Sequence, residues 1–206
     1  MGVMDMEITV FSDCHWKGPA PVSIEPDFGG NVFYIGDNHE LKNIPFEKVT
    51  EYSKQYLEFL GKCKSTKTAI LNGNHEVSVG FKENNIEVLL PENMSIAMVH
   101  FHRELWSTNT VQEWHNMKPG KSKWNLFLIK AKNIVKKKLG HSSLNNNHID
   151  LCLKIAEKYN VKNVVFGHTH PKKIIVEMHN DVTMVNVPRG KSTLLYQSAE
   201  QKIVEI

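Results

Sequence analysis

Cysteine is scarce in this sequence, and the three cysteines, Cys14, Cys63 and Cys152, are far apart. Their odd number and the lack of any CxxC pair argue against a disulfide framework and against a cysteine-based zinc site. Long apolar runs are also missing, because no stretch approaches the roughly 18 to 20 residues that a membrane-spanning helix needs. Acidic residues stand near the start, where a signal peptide would carry basic ones, so we expect a cytoplasmic protein without a membrane span.

Acidic residues are absent between Met117 and His141, a stretch that contains eight lysines. The positive charge is therefore concentrated there, while the net charge of the whole sequence is only +3. Apolar residues recur at helical spacing from about 121 to 139, which predicts a helix with lysines on its other face. We expect its apolar residues to be buried, and they include Trp124, Phe127, Leu128, Ile134 and Val135.

Five short apolar runs, each rich in Val, Ile and Phe, end in polar side chains. Such runs are typical of buried strands, and ligands gather beyond the carboxyl ends of strands in α/β sheets. The runs are MEITVFSDCH, NVFYIGDNHE, KTAILNGNHE, MSIAMVHFH and VKNVVFGHTH. The polar residues that follow them are Asp13, His15, Asp37, Asn74, His75, His100, His102, His168 and His170.

Two helices and a group of later strands complete the predicted elements. Residues 45–60 predict a helix that begins at Pro45 and ends before Gly61. Residues 147–159 predict a second helix that ends at Asn160. From Ile174 onward, β-rich runs alternate with turn residues, which predicts an antiparallel meander. The length of 206 residues fits one domain of ordinary size.

The residues at the strand ends have the chemistry of metal ligands. Carboxylates, an amide oxygen and imidazoles suit divalent metals such as manganese, iron, zinc or cobalt. Seven of these residues, Asp13, His15, Asp37, Asn74, His100, His168 and His170, form the candidate ligand set. Seven ligands are too many for a single zinc ion, but they suit two metal ions with one bridging carboxylate.

The motifs SDCH, IGDN, NGNHE, VHFH and FGHTHP occur in this order between residues 13 and 170. In these motifs the sequence resembles the calcineurin-like metallophosphoesterases. The resemblance implies an α/β fold, a four-layer α/β/β/α sandwich of two mixed sheets with a dinuclear metal site at the strand ends. It also implies a single domain over residues 1–206, with a helical, lysine-rich insert at about 103–146.

The resemblance assigns a role to each motif residue. It implies a first metal ion bound by Asp13, His15 and His170, and a second bound by Asn74, His100 and His168. Asp37 would bridge the two ions. His75 would be the general acid, and Glu76 would orient it. We expect manganese, with iron, zinc, nickel and cobalt as alternatives.

Phe101 departs from the family pattern, which usually has glycine between the two histidines of the VHFH motif. We expect Phe101 to add bulk near the site, which leaves open whether His100 or His102 is the ligand. The strand register favours His100 as the ligand. We expect His102 to contact the metal ligands rather than the metal itself. The other histidines, expected at the surface or in turns, are His39, His115, His141, His148 and His179.

The insert is the part of the sequence that we expect to select the substrate. Its length and the neighbouring CLKIAEKYNVKNVVFGHTHP are similar to the branch that includes UDP-2,3-diacylglucosamine pyrophosphatases. Arg103 directly follows the VHFH motif and would bind a phosphate.

These features favour hydrolysis of a phosphodiester or pyrophosphate bond in a small, anionic nucleotide or nucleotide-sugar substrate. The alternatives are a phosphomonoesterase, a nuclease acting on nucleic-acid ends, and a non-catalytic scaffold with the same fold. The sequence leaves the oligomeric state open.

Overall fold

The computed structural model describes residues 4–19, 31–65, 68–71, 73, 75–76, 88–101, 120–127, 129, 144 and 146–206. Their strands form two five-stranded sheets. The first sheet consists of β1 (Met6–Ser12), β2 (Val32–Ile35), β3 (Ala69–Leu71), β9 (Gly190–Gln197) and β10 (Lys202–Glu205). The second consists of β4 (Val88–Leu89), β5 (Ile96–His100), β6 (Asn163–Gly167), β7 (Ile175–His179) and β8 (Val182–Asn186). The strand order is β10-β9-β1-β2-β3 in the first sheet and β4-β5-β6-β8-β7 in the second.

Both sheets are mixed. Strands β1, β2 and β3 run parallel, and β9 and β10 extend the first sheet in antiparallel fashion. In the second sheet β5, β6 and β8 run parallel, with antiparallel β4 and β7 at the edges. The carboxyl ends of the parallel strands meet at one edge of each sheet, where the motif residues follow.

The core lies in three layers because the strands alternate their side chains between two buried faces. In β5, Ile96 and Met98 face the other sheet, whereas Ala97 and Val99 belong to the outer cluster. Helix α2 (Asn146–Tyr159) covers that outer face, and helix α1 (Val49–Ser65) covers the outer face of the first sheet. The four-layer α/β/β/α sandwich predicted from the sequence is therefore confirmed.

A buried asparagine links the two sheets. Asn163 in β6 donates from Nδ2 to the carbonyl oxygens of Ser95 and Gln201, at 2.7 and 2.8 Å. Its Oδ1 accepts a hydrogen bond from the backbone of Ile203 in β10 at 2.9 Å. The side chain thus satisfies three backbone groups that the sheet packing would otherwise leave unpaired.

Helix α1 differs from the prediction at its carboxyl end. A 3₁₀ turn spans Phe46–Lys48, and α1 then continues through Gly61 to Ser65. A glycine inside a helix costs only about 1 kcal/mol, and Cys63 in the extra turn is buried against the first sheet. The predicted end of α2 is confirmed, because Asn160 adopts a left-handed φ of 51° there.

The predicted antiparallel meander after Ile174 is wrong in its arrangement. Its strands form two hairpins that belong to different sheets, β7 with β8 and β9 with β10. Strand β8 is mostly buried and pairs in parallel with β6, as a central strand of a covered sheet does. The Asn180–Asp181 turn between β7 and β8 has two positive φ angles, as tight hairpin turns require.

The predicted burial of the 121–139 helix is wrong for the side chains that the structure describes. Residues 123–127 are helical, but Trp124 and Phe127 are 67% and 60% exposed and stack on each other. This segment contacts the rest of the chain through its backbone, where Gly120 and Lys121 donate to the carbonyl oxygens of Leu41 and Ile44. Leu128, Ile134 and Val135 lie outside the described residues.

None of the helices in the described part of the chain has the length and apolar character needed to cross a bilayer.

Candidate metal centre

The candidate metal ligands lie in loops that directly follow strands, and most have strained backbone. Asp13 and His15 follow β1, Asp37 follows β2, and His168 and His170 follow β6. All five have positive φ angles, between 50° and 82°. Left-handed backbone in residues other than glycine is uncommon and is concentrated at functional sites. The fold thus maintains an unfavourable conformation in order to turn these side chains to one place.

Three overlapping groups of carboxylates and imidazoles result among the described residues. Within each group the ligand-type atoms lie within 4.8 Å of one another, and Asp13 and Asp37 each belong to two groups. The first group consists of Asp13, Asp37, His100 and His168, the second of Asp13, His15 and His170, and the third of His15, Asp37 and His75. The described residues of the sequence-predicted set therefore come together at one site.

Short contacts connect the side chains within these groups. His170 Nε2 lies 2.9 Å from Asp13 Oδ1, and His100 Nε2 lies 3.3 Å from Asp37 Oδ2. The ring nitrogens of His100 and His168 are 3.2 Å apart. Gly36 leaves room for the ring of His100 beside the Asp37 loop, because a Cβ atom at position 36 would lie 2.6 Å from that ring.

The charges in the site favour cation binding. Burial opposes ionisation of Asp37, but the charges of His100 and His75 hold its pKa well below the ordinary value. Burial also opposes ionisation of Asp13, whose pKa is lowered to about 2 by the hydrogen bond from His170 and the charge of His100. Burial lowers the pKa of His168 to about 4, so its ring is neutral near pH 7, as a ligand must be.

The donor set fits a divalent metal ion. Carboxylate oxygens and imidazole nitrogens suit such ions, and His15 Nε2 is buried with no hydrogen-bond partner among the described residues. His15 Nδ1 lies 3.3 Å from Glu40 Oε2, so Nε2 is the nitrogen that remains to bind a metal.

Glu40, rather than Glu76, contacts the ring of His75. His75 Nδ1 lies 2.6 Å from Glu40 Oε1, while His75 Nε2 lies 3.9 Å from Asp37 Oδ2. Burial opposes ionisation of Glu40, but hydrogen bonds from His15 and His75 hold its pKa well below the ordinary value. Sequence reasoning missed Glu40, although it lies three positions after Asp37 in the same loop.

Glu76 instead supports the backbone of the Asp37 loop, so the prediction that it orients His75 is wrong. Its buried carboxylate accepts hydrogen bonds from the backbone N–H groups of Asp37, His39 and Gly73, at 2.8 to 2.9 Å. Burial, together with the charge of Asp37, raises the pKa of Glu76 to about 7.

His39 is buried, contrary to the expected surface or turn position. Its ring packs against Trp16, Tyr56 and Phe59, with centroids 4.8 to 5.1 Å apart. Burial lowers its pKa to about 4, so the ring behaves as a neutral aromatic group. Asp37, two positions earlier in the same loop, faces the metal groups. The loop therefore places one side chain in the site and another in the core.

His148 is half-buried in α2 and stacks against Phe101, so the expectation for this residue is also wrong. His179 lies at the turn between β7 and β8, as expected. His115 and His141 are outside the described residues.

Phe101 does not add bulk to the site, because it faces helix α2. It is fully buried in the outer cluster and stacks on Phe166 with centroids 3.9 Å apart. Side-chain alternation along the chain turns His100 toward Asp37 and Phe101 to the opposite face. The remaining residues of the predicted site, Asn74, His102 and Arg103, lie outside the described part of the chain.

Comparison with solved structures identifies several proteins to which this chain is similar at low sequence identity. A conserved uncharacterized protein of Streptococcus pneumoniae TIGR4, described as a predicted phosphoesterase, is 15% identical, with a TM-score of 0.42 over 94% of this chain and 84% of the other. A cold-active protein-tyrosine phosphatase of a Shewanella species is 13% identical, with a TM-score of 0.47 over 96% and 79%. Vps29 of Chaetomium thermophilum is 12% identical, with a TM-score of 0.43 over 92% and 79%.

Comparison of the sequence with family models gives a more specific match. The curated proteins include no significant match to this chain. The model of the calcineurin-like phosphoesterases matches residues 6–172, which contain all five motifs. The chain belongs to the calcineurin-like phosphoesterase family.

Proposed function

We propose that this chain is a dinuclear-metal-dependent hydrolase of phosphodiester or pyrophosphate bonds. The observation that carries the proposal is the sharing of Asp37 between the group that contains His100 and His168 and the group that contains His15 and His75. A shared carboxylate next to a second one suits a pair of cations better than a single cation. The family supports metal-dependent phosphoester hydrolysis as the reaction class.

The ligand assignment keeps the roles that the family resemblance implies. Asp13, His15 and His170 would hold the first ion, His100, His168 and Asn74 would hold the second, and Asp37 would be shared by both. Manganese is the proposed metal, with iron, zinc, nickel or cobalt as alternatives. The close contacts of His170 with Asp13 and of His100 with Asp37 support this division.

The reaction adds water across a P–O bond and releases an alcohol or a second phosphate. Two divalent ions, when bound, would supply neutralisation of the phosphoryl charge and activation of the attacking water. His75 is the proposed general acid. Ionised Glu40 can only accept a hydrogen bond, so Nδ1 of His75 is the donor and Nε2 faces the carboxylate groups. Burial opposes a second proton on this ring, but Asp37 and Glu40 raise the pKa of His75, so Nε2 of the doubly protonated ring would give its proton to the leaving oxygen.

The proposed substrate is of the nucleotide or nucleotide-sugar type. The lysine-rich insert supports an anionic substrate, and Arg103 remains our proposed phosphate contact. The similarity to UDP-2,3-diacylglucosamine pyrophosphatases favours a pyrophosphate bond. A phosphomonoester, nucleic-acid ends or a scaffold role are the alternatives. Three free cysteines fit a reducing, cytoplasmic compartment.

The test is metal-dependent hydrolysis of two chromogenic substrates. The purified protein, stripped with EDTA and reloaded with Mn²⁺, should hydrolyse bis(p-nitrophenyl) phosphate faster than p-nitrophenyl phosphate. Activity should be lost with EDTA and recovered with Mn²⁺. A metal-loaded protein that hydrolyses neither substrate would favour the scaffold, and preference for the monoester would favour a phosphomonoesterase.

Glu40→Gln should lower kcat about 10- to 100-fold, the usual cost of losing the outer partner of a catalytic or ligand histidine. The amide can still contact His75 and His15 but cannot hold either ring by charge. In a double-mutant cycle, the part of the effect that acts through His75 should disappear, so the combined loss with His75→Ala should be smaller than the product of the two single losses. Glu51→Gln, an exposed carboxylate paired with Lys48, is the matched control. Fully additive free-energy losses would contradict the positioning of His75 by Glu40.

A further inference from the structure

Lys42 lies in a loop that is fixed at both ends next to the metal groups. Glu40 Oε1 accepts a hydrogen bond from the backbone of Asn43 at 2.7 Å, the same carboxylate that contacts His75. On either side of Lys42, the buried side chains of Leu41 and Ile44 anchor the loop in the core. The position of the Lys42 backbone is therefore set by the site itself.

Lys42 is a half-buried cation that has no close counter-ion among the residues that the structure describes. The ion pairs of the described residues do not include it. The nearby carboxylate of Glu40 is already occupied by His15, His75 and the backbone of Asn43. Burial lowers the pKa of Lys42, although the charges of Asp37 and Glu40 oppose this effect. A partly desolvated ammonium group is stabilised by an anionic partner.

Lys121 provides a second positive charge at the same place. Its backbone donates to the carbonyl oxygen of Ile44 at 2.7 Å, and it forms an isolated bridge with Pro45. The preceding Gly120 has a φ of +79°, and a Cβ atom there would lie 2.8 Å from Phe46 and Val49. This close docking brings Lys121 near enough for its charge to act on Lys42.

Lys42 also lies within electrostatic range of the proposed reaction centre, because the charge of Asp37 favours protonation of Lys42. Two like charges that repel each other beside a cation-binding site are stabilised together by an anion that bridges them. In the proposed function the metal groups hold one phosphate, so the two lysines would be available for another.

We propose that Lys42 and Lys121 form an anion subsite that binds a second phosphate of the substrate. The preferred substrates are then diphosphate esters, in which one phosphate lies at the metal ions and the next lies between the two lysines. This inference rests on the proposed function for the position of the first phosphate. It names two specificity-determining residues that do not belong to any of the five motifs.

The experiment compares two nucleotides that differ by one phosphate, AMP and the non-hydrolysable α,β-methylene-ADP. Binding to the Mn²⁺-loaded protein is measured by titration calorimetry, without turnover. The unaltered protein should bind the diphosphate analogue at least about tenfold more tightly. Lys42→Gln and Lys121→Gln should each reduce this ratio of dissociation constants about five- to tenfold. Lys123→Gln, an exposed lysine in the same segment, should leave the ratio unchanged.

Three outcomes would overturn the subsite: equal affinity of the unaltered protein for both nucleotides, no binding of either, or the same loss of ratio in the Lys123→Gln control. Thermal melting of each variant identifies any that is unfolded, and Lys42→Arg, which keeps the charge, should retain most of the ratio. The binding ratio does not depend on hydrolysis. A protein that shows the lysine-dependent ratio but no metal-dependent hydrolysis would therefore retain the subsite and lose the proposed function.

Discussion

Asp37→Asn should lower kcat/KM for bis(p-nitrophenyl) phosphate on the order of 10³-fold or more. Loss of an outer partner of a metal ligand already costs about 10- to 100-fold in metal affinity or activity, and Asp37 is the proposed bridge between both ions. Asparagine keeps the size of the side chain and tolerates the positive φ of 51° at this position. It can also still accept the hydrogen bond from the backbone of His75. The loss should therefore report the missing charge.

Metal analysis identifies the cause of that loss. The Asp37→Asn protein should retain less metal after dialysis than the unaltered protein, with similar circular dichroism. Asp150→Asn, the same change at an exposed position of α2, should keep both activity and metal. Full metal content with activity within tenfold of the unaltered protein would show that Asp37 is not the bridge.

His75→Ala should lower the rate about 10² to 10⁴-fold for substrates with poor leaving groups, the usual contribution of a positioned general acid. The loss should be much smaller for p-nitrophenyl esters, because p-nitrophenolate needs little protonation as it leaves. The measurement is kcat for a series of aryl and alkyl phosphodiesters. Its dependence on the pKa of the leaving group should become steeper in the variant.

The metal content of His75→Ala separates an acid from a ligand. His75 forms a further group of ligand-type atoms with His15 and Asp37, so a role in metal binding has to be tested directly. If His75 is a general acid, the variant should lose activity but keep its metal. If His75 is a metal ligand, the variant should lose both. His179→Ala, at the partly exposed turn of the second sheet, should behave as the unaltered protein. A uniform loss across all leaving groups would contradict the acid role.

The strands and most of the candidate metal ligands could be predicted from the sequence because both depend on local patterns. A buried parallel strand is a short apolar run, and the residues after it lie at the edge where parallel strands end. Asp13, Asp37, His100 and His168 follow such runs directly. Helix boundaries were less predictable, since burial of Cys63 outweighed the helix-ending tendency of Gly61.

The supporting contacts could not be predicted, because they depend on how separate loops pack. Glu40 and Glu76 are both acidic residues near a motif, and only the fold determines that Glu40 contacts His75 while Glu76 binds backbone N–H groups. His39 is as polar as the ligand histidines, yet it lies among aromatic rings. Likewise, the docking of Lys121 against Ile44 joins segments far apart in sequence.

The left-handed backbone of the site residues determines which replacements can be interpreted. At Asp13, Asp37 and the three histidines of the SDCH and GHTH motifs, a replacement must both fill the ligand position and accept a positive φ. Alanine removes the ligand and also favours a different loop path, so its effect on activity would combine two causes. Glycine relieves the strain but loosens the loop. Asparagine accepts the conformation and carries no charge, so scanning these positions with asparagine would separate coordination chemistry from loop geometry.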